Sequence, residues 1–199
     1  MTTHHVAQLP KIIGLLGRSR SGKDTICDYI ISSYPLISIE KRRLAQPIKD
    51  AVCALYGFNR HQVECADKDR VDTDIGISPR AAMVGITDHV MGTMGREFFS
   101  KRLFLSVDTT LSVDINTIII PDVRYAHDID YIRSRGGIVI KVSRDGTHDN
   151  QVPHYAWEDP IDAMRGDVHV HNDGNIEELY VQVDTALSRS RSTVGINQS

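Results

Sequence analysis

Apolar residues run without alternation through Ile12-Ile13-Gly14-Leu15-Leu16, Ile118-Ile119-Ile120 and Ile138-Val139-Ile140. A strand with one wet face alternates with a period of two, so an unbroken run means that both faces are covered. The pattern therefore predicts buried strands over 11–16, 116–122 and 138–142. Shorter stretches, Leu36-Ile37-Ser38-Ile39 and Asp167-Val168-His169-Val170-His171, read as further strands. Between them apolar positions recur at helical spacing. Helices are expected over 22–33, over 44–56, from Pro79 through the 82–91 stretch, over 97–111, from Val123 through Arg135, and over 176–187. In the second of these, Pro47 suits a first turn, and Ile48, Val52 and Leu55 share a face. Gly57 is its stop. Strands alternating with helices in this way give an α/β fold, a mainly parallel sheet with helices on both faces.

Three stretches fall outside the pattern. Residues 59–80 crowd Asp67, Lys68, Asp69, Arg70, Asp72 and Asp74 together, as a solvated segment or a substrate-binding flap would. Residues 144–166 are long, polar and irregular, and contain His148, Pro153, His154, Trp157 and Pro160. A connection of that length in a compact domain is functional or disordered. The Ser/Arg-rich tail, 188–199, is expected to fray.

The first helix is entered through Gly17-Arg18-Ser19-Arg20-Ser21-Gly22-Lys23-Asp24-Thr25. Four residues separate the two glycines and a lysine follows, which is the spacing of a phosphate-binding loop. Glycines let backbone N–H groups converge on one concavity, and the following helix adds the positive end of its dipole. Lys23 can reach the outer phosphates of a nucleoside triphosphate. The position after the lysine usually carries a hydroxyl that holds magnesium. Here it is Asp24, with a hydroxyl one step later at Thr25. Both are oxygen donors of the kind a hard cation prefers, so Asp24 and Thr25 are the candidate Mg2+ residues.

Composition narrows the partners. The 199 residues suggest one domain, and a net charge of -3 argues against a general binder of nucleic acid or membrane surfaces. Three cysteines without a Cys-x-x-Cys pair suit a reducing cytoplasm as small packing residues. No apolar stretch approaches a membrane span, and residues 1–10 lack a signal-peptide core.

The third strand ends in Pro121-Asp122-Val123-Arg124. In open α/β sheets ligands bind beyond the carboxyl ends of the strands. Asp122 and Arg124 are thus expected to face the same crevice as Lys23. Asp122 could serve the metal, orient an acceptor or simply cap the next helix. The planar fork of Arg124 suits a phosphate, with a surface salt bridge as its ordinary alternative. His169 and His171 share a strand face. No third ligand at metal spacing accompanies them, so packing or exposure is the simpler reading.

The ordered pieces Ser21-Gly22-Lys23-Asp24-Thr25, Leu44-Ala45-Gln46-Pro47-Ile48-Lys49-Asp50, Pro121-Asp122-Val123-Arg124, Arg165-Gly166-Asp167 and Asn172-Asp173-Gly174-Asn175 span most of residues 12–187. In that order the chain resembles the deoxynucleoside monophosphate kinases of tailed bacteriophages, within the phosphate-loop nucleoside monophosphate kinase superfamily. The resemblance implies a three-layer α/β/α phosphate-loop NTPase fold with a helical monophosphate-binding part (about 44–110) and a lid (about 144–166). It implies ATP as donor, Mg2+, small nucleotide substrates and transfer to a deoxynucleoside monophosphate. Lys23, Asp24, Asp122, Arg124 and Arg144 would be catalytic. The loop from Gly17 to Thr25 (Gly17, Arg18, Ser19, Arg20, Ser21, Gly22, Lys23, Asp24, Thr25), with Arg144, would bind ATP. Asn172 and Gly174 would flank its adenine, with an ordinary helix start as the alternative. Lys49, Arg70, Arg102, Asp122, Arg124 and Arg165 would bind the acceptor. Residues 59–90 are shorter and more charged than in the larger phage enzymes, and His154 is followed by Glu158 at four positions rather than an acid at three. A phosphomevalonate- or dephospho-coenzyme-A-like kinase, or a nucleotide-binding regulator, are the alternatives. A homodimer remains open.

Overall fold

The computed structural model describes residues 9–110, 115–146 and 161–194. The elements are β1 (Ile12–Leu16), α1 (Lys23–Ser33), β2 (Ile39–Lys41), α2 (Gln46–Tyr56), α3 (Arg60–Glu64), α4 (Pro79–Met94), α5 (Phe98–Thr110), β3 (Thr117–Val123), α6 (Ala126–Ser134), β4 (Ile138–Ser143), β5 (Val168–His171) and α7 (Ile176–Val194). The strands form one sheet in the order β2-β3-β1-β4-β5, and every pairing is parallel. The expected mainly parallel sheet is thus present.

The unbroken apolar runs become the central strands. Ile12, Ile13, Leu15, Leu16, Ile118, Ile119, Ile120 and Ile140 have no exposed surface. One core layer packs Ile13, Leu15, Ile119 and Ile140 against Ile26, Cys27 and Ile30 of α1 and Leu179, Val183 and Leu187 of α7. In register, Leu16 stands beside Val123 on one side and Lys141 on the other. The carboxyl ends of β1, β3 and β4 therefore open on one rim.

Two compact units are built. Residues 43–103 form the second and the rest of the described chain the first. The second unit has its own small core of Val52, Phe58, Val63 and Ala82. In it the charged stretch 59–80 is more regular than its composition suggests. Asn59 and Gln62 exchange backbone-to-side-chain hydrogen bonds of 3.0 and 2.9 Å, which starts α3 and lets Val63 turn inward.

Other expectations shift. The second strand is Ile39–Lys41, not 36–39; Leu36 is 91 % exposed in a turn after Pro35, and pairing begins where Ile39 meets Thr117. Leu55 is 73 % exposed, so α2 buries only Ile48 and Val52. α7 continues to Val194 rather than fraying at 188, because no helix breaker stands before Gly195. Of the cysteines, Cys27 is buried but Cys65 is exposed, so packing does not explain all three. His148, Pro153, His154, Trp157 and Pro160 lie outside the described residues. Among the described residues no helix is long and apolar enough to cross a membrane.

Candidate phosphate-binding site

The loop between β1 and α1 sits on the rim of the sheet. Gly17 lies against β4, where a Cβ would collide with the Val142 carbonyl oxygen, so the chain can turn there only without a side chain. Arg20 (φ 63°) and Gly22 (φ 101°) both take left-handed conformations. For Arg20 that conformation costs about 1 kcal/mol. The Ser21 side chain is buried beneath the loop. Gly22 precedes α1 and has no side chain with which to cap that helix, whose N-terminus is the end of its dipole that favours an anion.

Lys23 lies across its own loop. Its Nζ donates to the Gly17 carbonyl at 2.8 Å, the Arg18 carbonyl at 2.5 Å and the Ser21 Oγ at 3.4 Å. Burial, followed by the nearby Arg124 guanidinium, lowers its pKa to about 8 against the upward pull of Asp24 and Asp122. Asp24, Asp122 and Arg124, from α1, β3 and the turn after β3, are thus all within electrostatic reach of Lys23. The loop carbonyls occupy the ammonium as phosphate oxygens would.

Asp122 is the half-buried penultimate residue of β3, and Arg124 stands exposed just beyond it. Asp122 is not the cap of α6. That role falls to Asp128, 1 % exposed, whose Oδ2 accepts from the backbone N–H groups of Arg124 and Tyr125, both at 3.0 Å. Asp128 thereby fixes the turn that carries Arg124. An acid at the third helical position is its sequence signal.

Asp24 is met by a residue that the sequence did not single out. Lys41, ending β2, places its Nζ 2.9 Å from Asp24 and 3.6 Å from Asp28. One Asp24 oxygen is therefore paired with a cation. The Thr25 side chain is exposed in the same first turn. The hydroxyl of Thr25 and the carboxylate of Asp24 are oxygen donors of the kind a hard divalent cation prefers.

The remaining candidates fall on either side of the loop. Arg18 makes a two-pronged ion pair with Asp162, with Nε to Oδ1 at 3.0 Å. Lys141 holds that turn by donating to the carbonyls of Asp162 and Met164 at 2.8 and 2.9 Å. Ser19 is exposed in the loop tip, and Arg144 is exposed directly after β4. Arg165 is exposed just before β5. Its carbonyl accepts from Arg133 on α6, and the next residue, Gly166, runs against Val139 and Lys141 of β4. Asn172 Nδ2 donates to the Ser21 carbonyl at 2.9 Å. Gly174 belongs to the turn before α7, where Asn175 caps the helix by accepting from Glu178 N at 2.9 Å. His169 Nε2 and His171 Nδ1 each lie 3.0 Å from Ser143 Oγ. Burial beside His171 and Lys141 lowers the pKa of His169.

Within the second unit, Lys49 pairs with Glu64 at 3.7 Å. Arg102 is exposed and its charge is felt by Asp50. Arg70 is exposed, while the neighbouring Arg80 pairs with Asp69.

Against known proteins, the family model described as deoxynucleotide monophosphate kinase matches residues 11–79 and 80–183. The chain is 25 % identical to the deoxynucleotide monophosphate kinase of Enterobacteria phage T4, over 89 % of this chain and 98 % of that one. It is 26 % identical to a putative deoxynucleotide monophosphate kinase of Acanthamoeba polyphaga mimivirus, over 90 % and 97 %. Among solved structures, TT1252 from Thermus thermophilus superposes with a TM-score of 0.50 at 12 % identity, over 92 % and 98 %, a likeness of fold.

Proposed function

The chain belongs to the deoxynucleotide monophosphate kinase family, and we propose how its residues divide the work of that reaction. The enzyme transfers the terminal phosphoryl group of ATP to a deoxynucleoside monophosphate, giving ADP and the deoxynucleoside diphosphate. Such transfer needs two anions held in line and their charge neutralised, with little covalent help from the protein.

The N-terminus of α1 and the loop N–H groups receive the ATP phosphates. Lys23 then exchanges the Gly17 and Arg18 carbonyls for phosphate oxygens and stabilises charge on the transferred group. Arg124 clamps the acceptor phosphate, and Asp122 orients the acceptor or would help hold the metal. Arg144 adds charge on the ATP side. Lys49, Arg70 and Arg102 of the second unit serve the monophosphate. The observation that carries this reading is Lys23, held in the loop with Arg124 and Asp122 close enough to move its pKa.

Magnesium, when bound, screens the triphosphate and polarises its terminal group. Thr25 and Asp24 would hold it, with Lys41 fixing the Asp24 carboxylate. Asp24→Ala is expected to raise the Mg2+ concentration at half-maximal rate about tenfold. An unchanged magnesium titration would remove Asp24 from the metal environment.

The function itself is tested by ADP release with ATP across the deoxy- and ribonucleoside monophosphates, with phosphomevalonate and dephospho-coenzyme A as contrasts. Turnover with one or more deoxynucleoside monophosphates is expected. Turnover only with a non-nucleotide acceptor, or slow hydrolysis that no acceptor accelerates, would overturn the reading.

A further inference from the structure

We infer that Asn172 is a positioning residue of the phosphate loop, acting through the peptide between Ser21 and Gly22 rather than on the adenine of ATP. The inference rests on the kinase reading of the loop. The Asn172 amide nitrogen donates to the Ser21 carbonyl at 2.9 Å across 151 residues of sequence. The same nitrogen fills the space where a Cβ on Gly22 would stand, so the glycine and the asparagine fit one another. Asn172 is itself fixed: its N–H donates to the Ser143 carbonyl at 2.8 Å, continuing the pairing of β5 with β4. The half-buried side chain is therefore rooted in the sheet while its tip grips the loop.

The consequence follows from peptide geometry. The C=O and N–H of a trans peptide point in opposite directions. Drawing the Ser21 carbonyl to Asn172 turns the Gly22 N–H the other way and holds Gly22 at φ 101°. A carbonyl released from that bond is free to swing toward the anion, replacing a donor with an acceptor. Asn172 thus keeps a loop of mixed N–H and C=O groups in the orientation that attracts phosphate.

The test compares ATP with tripolyphosphate, which has the phosphates and no base. Calorimetric titration of the wild-type protein, Asn172→Ala and Asn172→Asp measures both. Asn172→Ala is expected to weaken both ligands equally, by about tenfold. Asn172→Asp, the same size but without the donor, is expected to lose more, since its carboxylate would face the Ser21 carbonyl. In turnover, KM for ATP is expected to rise while KM for the monophosphate holds. A loss for ATP with tripolyphosphate unaffected would assign Asn172 to the adenine and overturn the inference. Unchanged binding of both ligands in both variants, or equal rises in both KM values, would overturn it too. Wild-type protein that binds neither ligand would overturn the loop reading beneath it.

Discussion

Lys23→Met is expected to lower kcat by about 10³-fold, the scale set by removing one preorganised charge donor from a transition state. Methionine keeps the apolar stem and removes the ammonium, so the fold is expected to survive. The sign of the stability term agrees. Lys23 has a pKa of about 8 in the folded protein against 10.5 for the free side chain. Folding therefore disfavours its charge, and that cost stands in full below about pH 8 and is relieved as pH rises toward 10.5. Losing the charge at pH 7 offsets part of what the lost hydrogen bonds to Gly17, Arg18 and Ser21 contributed. The same shift predicts a pH profile. In the free enzyme ATP needs the protonated lysine, so kcat/KM for ATP is expected to fall above about pH 8. Bound phosphates raise the pKa again, so kcat should hold to higher pH. Steady-state rates across pH for both proteins check this. A Met variant within tenfold of wild type, or one that keeps the alkaline fall, would take Lys23 out of the transition state.

How much of this was legible beforehand depends on the range over which each feature is encoded. Unbroken runs such as Ile118-Ile119-Ile120 announce a doubly covered strand locally, and the buried centre of the sheet agrees. The loop is also local, since its two glycines and Lys23 carry their own geometry. The Asp122 and Arg124 positions followed from a rule about strand ends, and both influence Lys23. What stayed hidden was decided by partners distant in sequence. β2 begins at Ile39 because Thr117 is there to pair with it, not because Leu36 lacks apolar character. Lys41 reads as one more strand-end lysine until Asp24 is seen 2.9 Å away. Asn172 reads from its neighbours as a flank of the adenine or as a helix start; its bond to Ser21 spans nearly the whole chain.

Arg124→Ala is expected to lower kcat/KM for the monophosphate by about 10²-fold, while the dissociation constant for ATP alone stays within about threefold, as for a lost exposed charge. The asymmetry follows from placement. Arg124 leaves the end of β3, whereas the ATP phosphates are received by the loop and α1, whose donors the mutation does not touch. Arg124→Lys keeps the charge but not the two-pronged fork, so it is expected to recover only part of the loss. A second consequence separates this from simple damage to the fold. The guanidinium pushes the Lys23 pKa down. Its removal should therefore move the alkaline fall in kcat/KM for ATP to higher pH, whereas unfolding would lower the amplitude without moving the inflection. Asp128→Asn acts one step further back. It weakens the carboxylate that accepts from the N–H groups of Arg124 and Tyr125, so it should reproduce the monophosphate defect in milder form while leaving the Arg124 charge in place. Equal losses for donor and acceptor in Arg124→Ala, together with an unmoved alkaline inflection, would count against the clamp and leave the acceptor phosphate to the second unit.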